Sequence, residues 1–263
     1  MALIDRIKKT GNIKTGKIIL VYGAPKQGKT STFCNFPKSL LLQVKDLSAD
    51  ALKESGAIAE DMPVLDAIGW DDALSILREL SETEHEYKGI IIDGGSGVEE
   101  YLDALVTEEN FDGSPVKFNS WGAGDKVSGV RWLEFMEVLN ELKAKGIWIF
   151  MLAHLAIATI KSPSGSDYTK NVPHLSKSKL MASLKYVDAI ILMESIVAVK
   201  DVNDQSHKGK AVGGSRLMRC GGANTSFEAG NRMGLPDDIV LGNSPKEAWD
   251  AFALAVKAGR KKV

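Results

Sequence analysis

Short uninterrupted runs of apolar residues recur along the chain, and each is about as long as a buried strand. They occupy residues 18–22, 40–44, 90–92, 147–152 and 190–193. A continuous apolar run is typical of a strand that is covered on both faces, whereas a strand with one face in water alternates apolar and polar residues. These runs therefore predict the central strands of a largely parallel sheet.

Amphipathic helical patterns lie between several of these predicted strands. One pattern places apolar residues at intervals of three across residues 130–142, and another comprises Ala73, Leu74, Ile76, Leu77 and Leu80. Apolar residues at such intervals form one face of a helix, and this is the face that covers a sheet. The alternation of strands and helices predicts an α/β fold in which helices flank a mostly parallel sheet.

The pattern changes after residue 193. Residues 196–202 and 211–220 are strand-like segments on either side of the polar residues 203–210. Two strands of this length that are separated by a polar loop predict an antiparallel hairpin in the C-terminal part of the chain.

The chain is predicted to end in a helix over residues 244–258. Ser244 suits the N-cap of that helix and Pro245 suits its first turn. Gly259 predicts the helix end, and residues 259–263 form a short basic tail. With residues 1–16 interpreted as an N-terminal extension, we expect residues 1–263 to form a single domain.

The composition excludes several classes of protein. The chain has 263 residues with 33 basic and 34 acidic side chains, so its net charge of −1 does not steer it towards polyanions as a whole. The two cysteines, Cys34 and Cys220, are far apart and fit neither a disulfide framework nor a zinc site. No apolar run approaches the about 20 residues of a membrane span, so we expect a cytoplasmic protein without a membrane partner.

A glycine-rich loop with phosphate-binding character follows the first predicted strand. It reads Gly23-Ala24-Pro25-Lys26-Gln27-Gly28-Lys29-Thr30, and Ser31 continues into a predicted helix. In this strand-loop-helix context the backbone amides of the loop face phosphate oxygens, and the helix N-terminus favours negative charge. Lys29 is expected to reach the β- and γ-phosphates, and the Thr30 hydroxyl to bind Mg²⁺. The loop predicts binding of ATP with Mg²⁺; the alternative is a chance glycine-lysine loop.

Asp93 ends the apolar strand at residues 90–92, where a P-loop protein needs a carboxylate for its metal ion. We therefore predict Asp93 as a catalytic, metal-positioning residue. The alternative is an aspartate that only terminates the strand in a turn before Gly94.

Two further polar residues are candidates for the chemistry of hydrolysis. Asp46 follows the second strand and is a candidate to orient or activate water, or else a surface aspartate. His154 is predicted to close the strand that begins near residue 147, which places it at the carboxyl edge of the sheet near the phosphates. A structural histidine is the alternative. Glu99 and Glu100 are expected to lie in a helix.

Several segments together resemble a known family, the phage RecA-like P-loop nucleotide-binding proteins, which include single-strand annealing ATPases. The resemblance extends over residues 17–257 and rests on the P-loop, the strand ending in Asp93, the strand end at residues 151–154, and the segments Trp121-Gly122-Ala123-Gly124 and Asn231-Arg232-Met233-Gly234-Leu235-Pro236. It implies a RecA-like ATPase core, a homo-oligomer with ATP near the subunit interface, and single-stranded DNA as the partner. It also implies work beside a single-strand DNA-binding protein, in the host cytoplasm if a phage encodes the chain.

The resemblance assigns roles to particular residues. His154 occupies the position of a γ-phosphate sensor, and Arg232 matches an arginine that reaches ATP, in its own subunit or a neighbouring one. The family's second strand commonly ends in an acidic pair, but this chain has Gln43-Val44-Lys45 there. The departure puts fast hydrolysis in doubt without affecting ATP binding.

The segment after His154 is a candidate DNA-binding surface. Residues 157–187 are predicted to form a loop and a helix, with Tyr168 able to stack on a base and with lysines Lys161, Lys170, Lys177, Lys179 and Lys185. Lysines in a flexible segment can follow a phosphate backbone without reading sequence. The alternative is a solvated loop and a helix whose lysines face water. Trp121 is expected to be a packing residue, and the alternative is a residue that stacks on DNA.

The leading hypothesis is therefore a DNA-dependent ATPase that anneals or pairs DNA strands. A second hypothesis is a nucleotide-gated scaffold with little turnover, which fits Lys45 in place of a carboxylate. A small-molecule phosphotransferase is a third, although it would need an arginine-rich lid that the sequence lacks.

Overall fold

The computed structural model describes residues 15–162, 165–196, 198–200, 210–212, 215–221 and 226–259. The strands are β1 (Ile18–Gly23), β2 (Ser39–Val44), β3 (Val64–Ala67), β4 (Gly89–Asp93), β5 (Trp148–Ile160), β6 (Tyr168–Pro173), β7 (Ala189–Ser195), β8 (Ala198–Lys200), β9 (Lys210–Val212), β10 (Arg216–Arg219), β11 (Gly230–Asn231) and β12 (Asp238–Leu241). The α-helices are α1 (Lys29–Phe33), α2 (Ala49–Glu54), α3 (Trp70–Glu82), α4 (Gly95–Asn110), α5 (Pro115–Asn119), α6 (Ala123–Ala144), α7 (Lys177–Ser183) and α8 (Pro245–Gly259).

A ten-stranded sheet forms the centre of the molecule, with its main strands in the order β12-β10-β7-β1-β5-β4-β2-β3. Strand β1 pairs in parallel with both β5 and β7, and β4 pairs in parallel with β5 and β2. Strands β10 and β12 add an antiparallel edge beside β7. The predicted α/β fold with a mostly parallel, helix-flanked sheet is confirmed.

The alternating side chains of the central strands build one core on each face of the sheet. From β1, Ile18, Leu20 and Tyr22 join the core beneath helices α3, α4, α6 and α7. Ile19 and Val21 join the other core, which helices α1 and α8 cover. Because neither face of β1 is exposed, its sequence is apolar throughout, which is the pattern expected for a central parallel strand.

Helix α8 begins where the sequence predicts. The Ser244 hydroxyl accepts a hydrogen bond from the Glu247 amide at 3.1 Å, and the Glu247 carboxylate accepts the Ser244 amide at 3.0 Å. This reciprocal capping satisfies amides that a helix N-terminus otherwise leaves unpaired. The helix ends at Gly259, as predicted, and its Phe252 and Trp249 pack against Phe33 of α1.

Antiparallel strands are present in the C-terminal part of the chain as predicted, and β8 and β9 form a short hairpin. The rest of the predicted second strand, residues 216–219, is β10 and pairs with β7 instead. Most of the polar segment between β8 and β9 lies outside the described residues, as do residues 1–14 of the N-terminal extension and residues 260–263 of the basic tail. Strand β3 is a finding that the apolar runs did not predict, because two of its four residues, Leu65 and Asp66, are exposed at the edge of the sheet.

The prediction that His154 closes its strand is wrong. Strand β5 continues for six residues beyond it, and these pair antiparallel with β6, from Leu155 opposite Pro173 to Ile160 opposite Tyr168. The continuation is apolar or β-branched and contains no glycine or proline that would stop a strand. Residues 155–162 and 165–173, which we call the β5–β6 hairpin, therefore replace most of the predicted loop, while the predicted helix is present as α7.

Across the described residues, no helix combines the length and the apolar content needed to cross a membrane.

Candidate nucleotide-binding site

The glycine-rich loop connects β1 to α1 in a conformation that only glycine accommodates at two positions. Gly28 has a φ of 81°, in the left-handed region, and caps α1. A Cβ atom on Gly23 would lie 2.2 Å from the Met193 carbonyl oxygen, which is closer than atoms can approach. Both glycines of the motif are thus required by backbone geometry, as the sequence pattern implies.

Lys29 lies folded into this loop. Its ammonium group donates hydrogen bonds to the carbonyl oxygens of Gly23 and Ala24, both at 3.0 Å. Burial lowers the pKa of Lys29, while the nearby charges of Asp93 and Asp46 act in the opposite direction. A buried ammonium group held only by carbonyl oxygens is suited to exchange them for phosphate oxygens, which carry full negative charge.

Thr30 and Asp93 meet beside the loop. The Thr30 hydroxyl donates a hydrogen bond to Oδ2 of Asp93 at 2.6 Å, and Asp93 is itself buried at the end of β4. Burial raises the pKa of Asp93 to about 6, even though the hydrogen bond from Thr30 lowers it. A hydroxyl and a buried carboxylate are the oxygen donors that Mg²⁺ takes beside nucleotide phosphates, so the residues present fit that metal ion.

The sheet register brings His154 to the same edge. Gly23 is opposite His154 across β1 and β5, and Asp93 is opposite Leu152 across β4 and β5. His154 therefore lies where β5 leaves the parallel sheet, level with the first residue of the loop. Its Nδ1 atom is buried and, within the described part of the chain, has no hydrogen-bond partner. An unpaired buried nitrogen is costly in a purely structural histidine.

Asp46 is exposed just beyond the end of β2. It lies near enough to Lys29 and Asp93 for its negative charge to raise the pKa of both. Gln43, two residues before Lys45, is committed elsewhere: its side chain donates to Asp66 at 2.6 Å and accepts the Ala49 amide at 2.7 Å. Lys45 pairs with Glu100. Asp46 is thus the acidic side chain after β2 that is placed beside the loop.

Sequence reasoning missed two residues on the other side of the loop. Ser195, at the end of β7, donates to Oε1 of Gln27 at 2.6 Å. Arg216, at the start of β10, has its Nη1 atom 2.9 Å from the place where a Cβ of Gly28 would be. Neither residue belongs to a local motif, and only the pairing of β10 with β7 brings Arg216 to the loop.

Arg232 does not reach the nucleotide site of its own chain. Its amide donates to the carbonyl oxygen of Asp188, and the Asp188 carboxylate accepts the amide of Ile18 at the start of β1. Arg232 therefore lies at the amino edge of the sheet, the edge opposite the loop, beside a cavity of about 300 Å³ that Glu228 also lines. The sequence pattern could not show this, because the edge depends on where β11 pairs with β7.

The predicted DNA-binding residues separate into exposed and buried groups. Lys161 and Lys177 are exposed, and Tyr168 is partly exposed on the β5–β6 hairpin. Lys170 is also on the hairpin but pairs with Glu228 at 2.6 Å.

The assignment of Lys179 to DNA is wrong. Its side chain is fully buried and its ammonium group lies 3.0 Å from Glu99, 2.8 Å from Asp103 and 3.6 Å from Asp125. A lysine enclosed by three carboxylates joins helices α4, α6 and α7 and is unavailable to a phosphate backbone.

Trp121 is not the packing residue that was expected. Its side chain is 96% exposed, and its backbone has a φ of 54°, which is unusual for a bulky residue. It belongs to a short 3-10 turn, Ser120–Gly122, directly before α6. Helix α6 leads into β5 at the amino edge of the sheet, so its first turn, with Trp121, lies towards the edge that carries the loop.

A comparison with protein families agrees with this geometry. Residues 15–233, which include the loop, Thr30, Asp93 and Arg216, match the family described as AAA domain. No curated protein matches the chain. The matched region is most of the chain and contains the whole nucleotide site. The chain therefore belongs to the AAA domain family, a branch of the P-loop NTPases.

Proposed function

We propose that this protein binds ATP with Mg²⁺, hydrolyses it, and binds single-stranded DNA during strand annealing or pairing. The observation that carries the proposal is the course of β5. One half of this strand lies between the P-loop strand and the Asp93 strand, and the other half forms the β5–β6 hairpin. A single strand thus joins the nucleotide site to the candidate DNA surface.

The residues of the nucleotide site divide the work of hydrolysis. Lys29 and the loop amides hold the phosphates, and Thr30 and Asp93 hold Mg²⁺, which neutralises charge that develops on the transferred phosphoryl group. Asp46 is the carboxylate we assign to the attacking water. His154 is assigned to the γ-phosphate, because its partnerless Nδ1 lies level with the start of the loop.

The DNA surface is assigned from exposure and chemistry. Lys161, Lys177 and Tyr168 supply cations and a ring on or beside the hairpin, and Trp121 supplies a second ring held away from the core. Bases of single-stranded DNA stack on exposed aromatic rings, and lysines follow its phosphates without sequence preference. Keeping a bulky side chain exposed on left-handed backbone is unfavourable in a free protein, which supports a binding role for Trp121.

Arg232 supports a homo-oligomer. Its exposed side chain lies at the amino edge, whereas the P-loop lies at the carboxyl edge. In a head-to-tail arrangement the amino edge of one copy faces the carboxyl edge of the next. Arg232 of one copy would then complete the ATP site of its neighbour. A single-strand DNA-binding protein is the further partner we propose.

The first experiment measures steady-state ATP turnover with and without a poly-dT oligonucleotide at one fixed salt concentration. DNA should stimulate turnover in the unmodified protein, and Lys29→Ala should abolish turnover under both conditions. Turnover that is indifferent to DNA would refute the DNA part of the proposal and leave the ATPase part standing.

A second experiment locates the DNA surface by fluorescence anisotropy of the same oligonucleotide. Trp121→Ala should weaken binding about fivefold or more, because stacking contributes about 1–3 kcal/mol per base. Lys161→Ser should weaken binding and reduce its salt dependence. Lys185→Ser is the matched control. Lys185 was among the predicted DNA-binding lysines and is exposed, but it lies on the connection from α7 to the start of β7, at the amino edge of the sheet.

A nucleotide-gated scaffold is the second candidate, and one observation favours it. At the end of β2, Gln43 is held by Asp66 and Ala49, and Lys45 is held by Glu100, so neither activates water. Hydrolysis then depends on the exposed Asp46. If Asp46→Asn leaves turnover unchanged at a barely detectable level while ATP binding persists, the scaffold becomes the better description.

A further inference from the structure

Arg216 and Asp93 lie on opposite sides of the P-loop strand. In the sheet order, β4 with Asp93 is two strands from β1 in one direction, and β10 with Arg216 is two strands from β1 in the other. Asp93 and Thr30 form the metal side of the loop. Arg216 and Ser31 form the other side, because the Ser31 hydroxyl and Arg216 Nη1 both lie within 3.5 Å of the place where a Gly28 Cβ would be.

The hydrogen bonds of Arg216 fix its guanidinium group but leave part of it free. Nη2 donates to the carbonyl oxygens of Gly242 at 2.6 Å and Ser244 at 3.3 Å, on the loop that precedes α8. Nη1, the nitrogen beside Gly28, has no hydrogen-bond partner among the described residues. A guanidinium group has five N–H donors, so a fixed group with donors left over is ready to bind an anion.

The charge of Arg216 is also not neutralised by an ion pair of the described residues. Within the described part of the chain no carboxylate forms an ion pair with it, whereas Arg219 on the same strand pairs with both Glu194 and Asp238 at 2.7 Å. The charge of Arg216 acts on Glu247 and helps to lower the pKa of that carboxyl group, but the Glu247 carboxylate already accepts the amides of Asn243 and Ser244. A half-buried cation that forms no ion pair among the described residues, beside a phosphate-binding loop, is complementary to a phosphate.

We infer that Arg216 binds the phosphates of the nucleotide on the side away from the metal, at the α- and β-phosphates, in the same chain as the P-loop. Mg²⁺ and the phosphate bound to it would lie on the side of Thr30 and Asp93. The remaining phosphates would then lie on the side of Ser31, where Nη1 of Arg216 has no hydrogen-bond partner among the described residues. Arg216 would thus bind the α- and β-phosphates, which ATP and ADP both have. The inference rests on the nucleotide binding proposed above.

Isothermal titration calorimetry with ADP and with ATP, each with Mg²⁺ and with EDTA, tests this role. Arg216→Gln keeps a donor for the carbonyl oxygens of Gly242 and Ser244 but removes the charge. It should weaken the binding of ADP and of ATP by the same factor, about tenfold or more, because hydrogen bonds to charged groups are stronger than those between neutral groups. The loss should be as large in EDTA as with Mg²⁺. Arg216→Lys, which keeps the charge, should recover part of the affinity.

Arg219→Gln is the matched control. It lies on the same strand and loses two ion pairs, so it should lower the melting temperature without changing the affinity for ADP. Arg216→Gln should melt within a few degrees of the unmodified protein when nucleotide is absent. All titrations are run well below both melting temperatures, so a less stable variant still reports its affinity.

Four outcomes would overturn the inference. Affinity for both nucleotides unchanged in Arg216→Gln would show that the arginine only supports the loop before α8. A loss confined to ATP would place the guanidinium at the γ-phosphate, and a loss that disappears in EDTA would place it at the metal. If the unmodified protein itself binds neither ADP nor ATP, nucleotide binding fails first and the role of Arg216 fails with it.

Discussion

The carboxylate of Asp93 is buried away from water, and its negative charge lowers the stability of the folded protein. Burial raises the pKa of Asp93 from 3.8 to about 6, so above pH 6 the ionised carboxylate destabilises the folded state relative to the unfolded chain. As pH falls from 6 towards 4 the folded state takes up a proton that the unfolded state does not yet bind, and the penalty disappears.

Asp93→Asn should therefore stabilise the nucleotide-free protein at pH 7.5 by about 1–3 kcal/mol, since each unit of pKa shift corresponds to about 1.4 kcal/mol. Chemical denaturation in EDTA measures the free energy of unfolding of both proteins. The extra stability of Asp93→Asn should become smaller as the pH is lowered to 4. Asp46→Asn, at an exposed position, is the control and should change stability by less than about 0.5 kcal/mol. An equal gain at both pH values would contradict the argument.

The backbone at Trp121 offers a second test on a single residue. Left-handed φ values cost a residue with a Cβ about 1 kcal/mol, and glycine avoids that cost. Trp121→Gly should be more stable than Trp121→Ala by about 0.5–1 kcal/mol in thermal or chemical denaturation, and both variants lose the same exposed ring. If the alanine variant is the more stable one, the backbone of the free protein is not left-handed there.

At the residue scale, the sequence could predict the positions of residues that belong to one local motif. The P-loop residues and Asp93 follow strands whose apolar pattern is unmistakable, so their places at one edge could be inferred. Arg216 could not be predicted, because its neighbour Gly28 is 188 positions away in the sequence. Lys179 was misassigned because a lysine in a helix reads as solvated, and only tertiary contacts with Glu99, Asp103 and Asp125 explain its burial.

Among the elements, the junction of helices α4, α6 and α7 depends on that buried lysine. Lys179→Met should destabilise the protein by about 2–4 kcal/mol, because three carboxylates lose their shared cation. This is somewhat less than for a fully buried ion pair, since the carboxylates are partly exposed. Chemical denaturation at pH 7 measures the loss.

Lys177→Met is the comparison for Lys179→Met. It makes the same chemical change two residues earlier on α7, at an exposed position, and should alter stability by less than about 0.5 kcal/mol. Equal effects of the two substitutions would mean that the carboxylate cluster is satisfied by solvent.

At the scale of elements, apolar runs predicted strands well where both faces are covered, and poorly elsewhere. Strand β3 at the sheet edge has only four residues, one of which is Asp66, and it was missed. Residues 157–160 of β5 were predicted as part of a loop because the segment after them is rich in serine and lysine and contains a proline and a glycine, a composition typical of loops. Helix α8 was predicted correctly because its start has a local capping signal.

For the whole molecule, nucleotide binding should appear as added stability. At a free concentration of Mg²⁺ and ADP a hundred times the Kd, the free energy of unfolding should rise by about 2.7 kcal/mol. Lys29→Ala should remove most of that rise while the nucleotide-free variant still unfolds in one cooperative transition. A rise that is the same in both proteins would place the nucleotide outside the P-loop.

The order of strands in the sheet is the property of the whole molecule that the sequence did not supply. Apolar runs indicate which segments are strands, but pairing between β1, β5 and β7 joins residues more than a hundred positions apart. That pairing decides which side chains share an edge. It places Arg232 at the edge away from the P-loop and places Arg216 beside the P-loop. The prediction that residues 1–263 form one domain stays a prediction.

Strand β5 also has a mechanical consequence. Thirteen residues at about 3.3 Å each make a ribbon about 43 Å long, without a glycine or proline at which it would bend. One half is clamped between β1 and β4, and the other pairs with β6. Strand β6 is held at Asn171 by the hydroxyl of Tyr22 and by the backbone of Ser226 and Glu228. A stiff ribbon transmits rotation along its length, so turning the clamped half by about 5° would shift a point about 20 Å further along the strand by about 2 Å. The contacts of Asn171 and the proposed DNA surface on the hairpin would move with it.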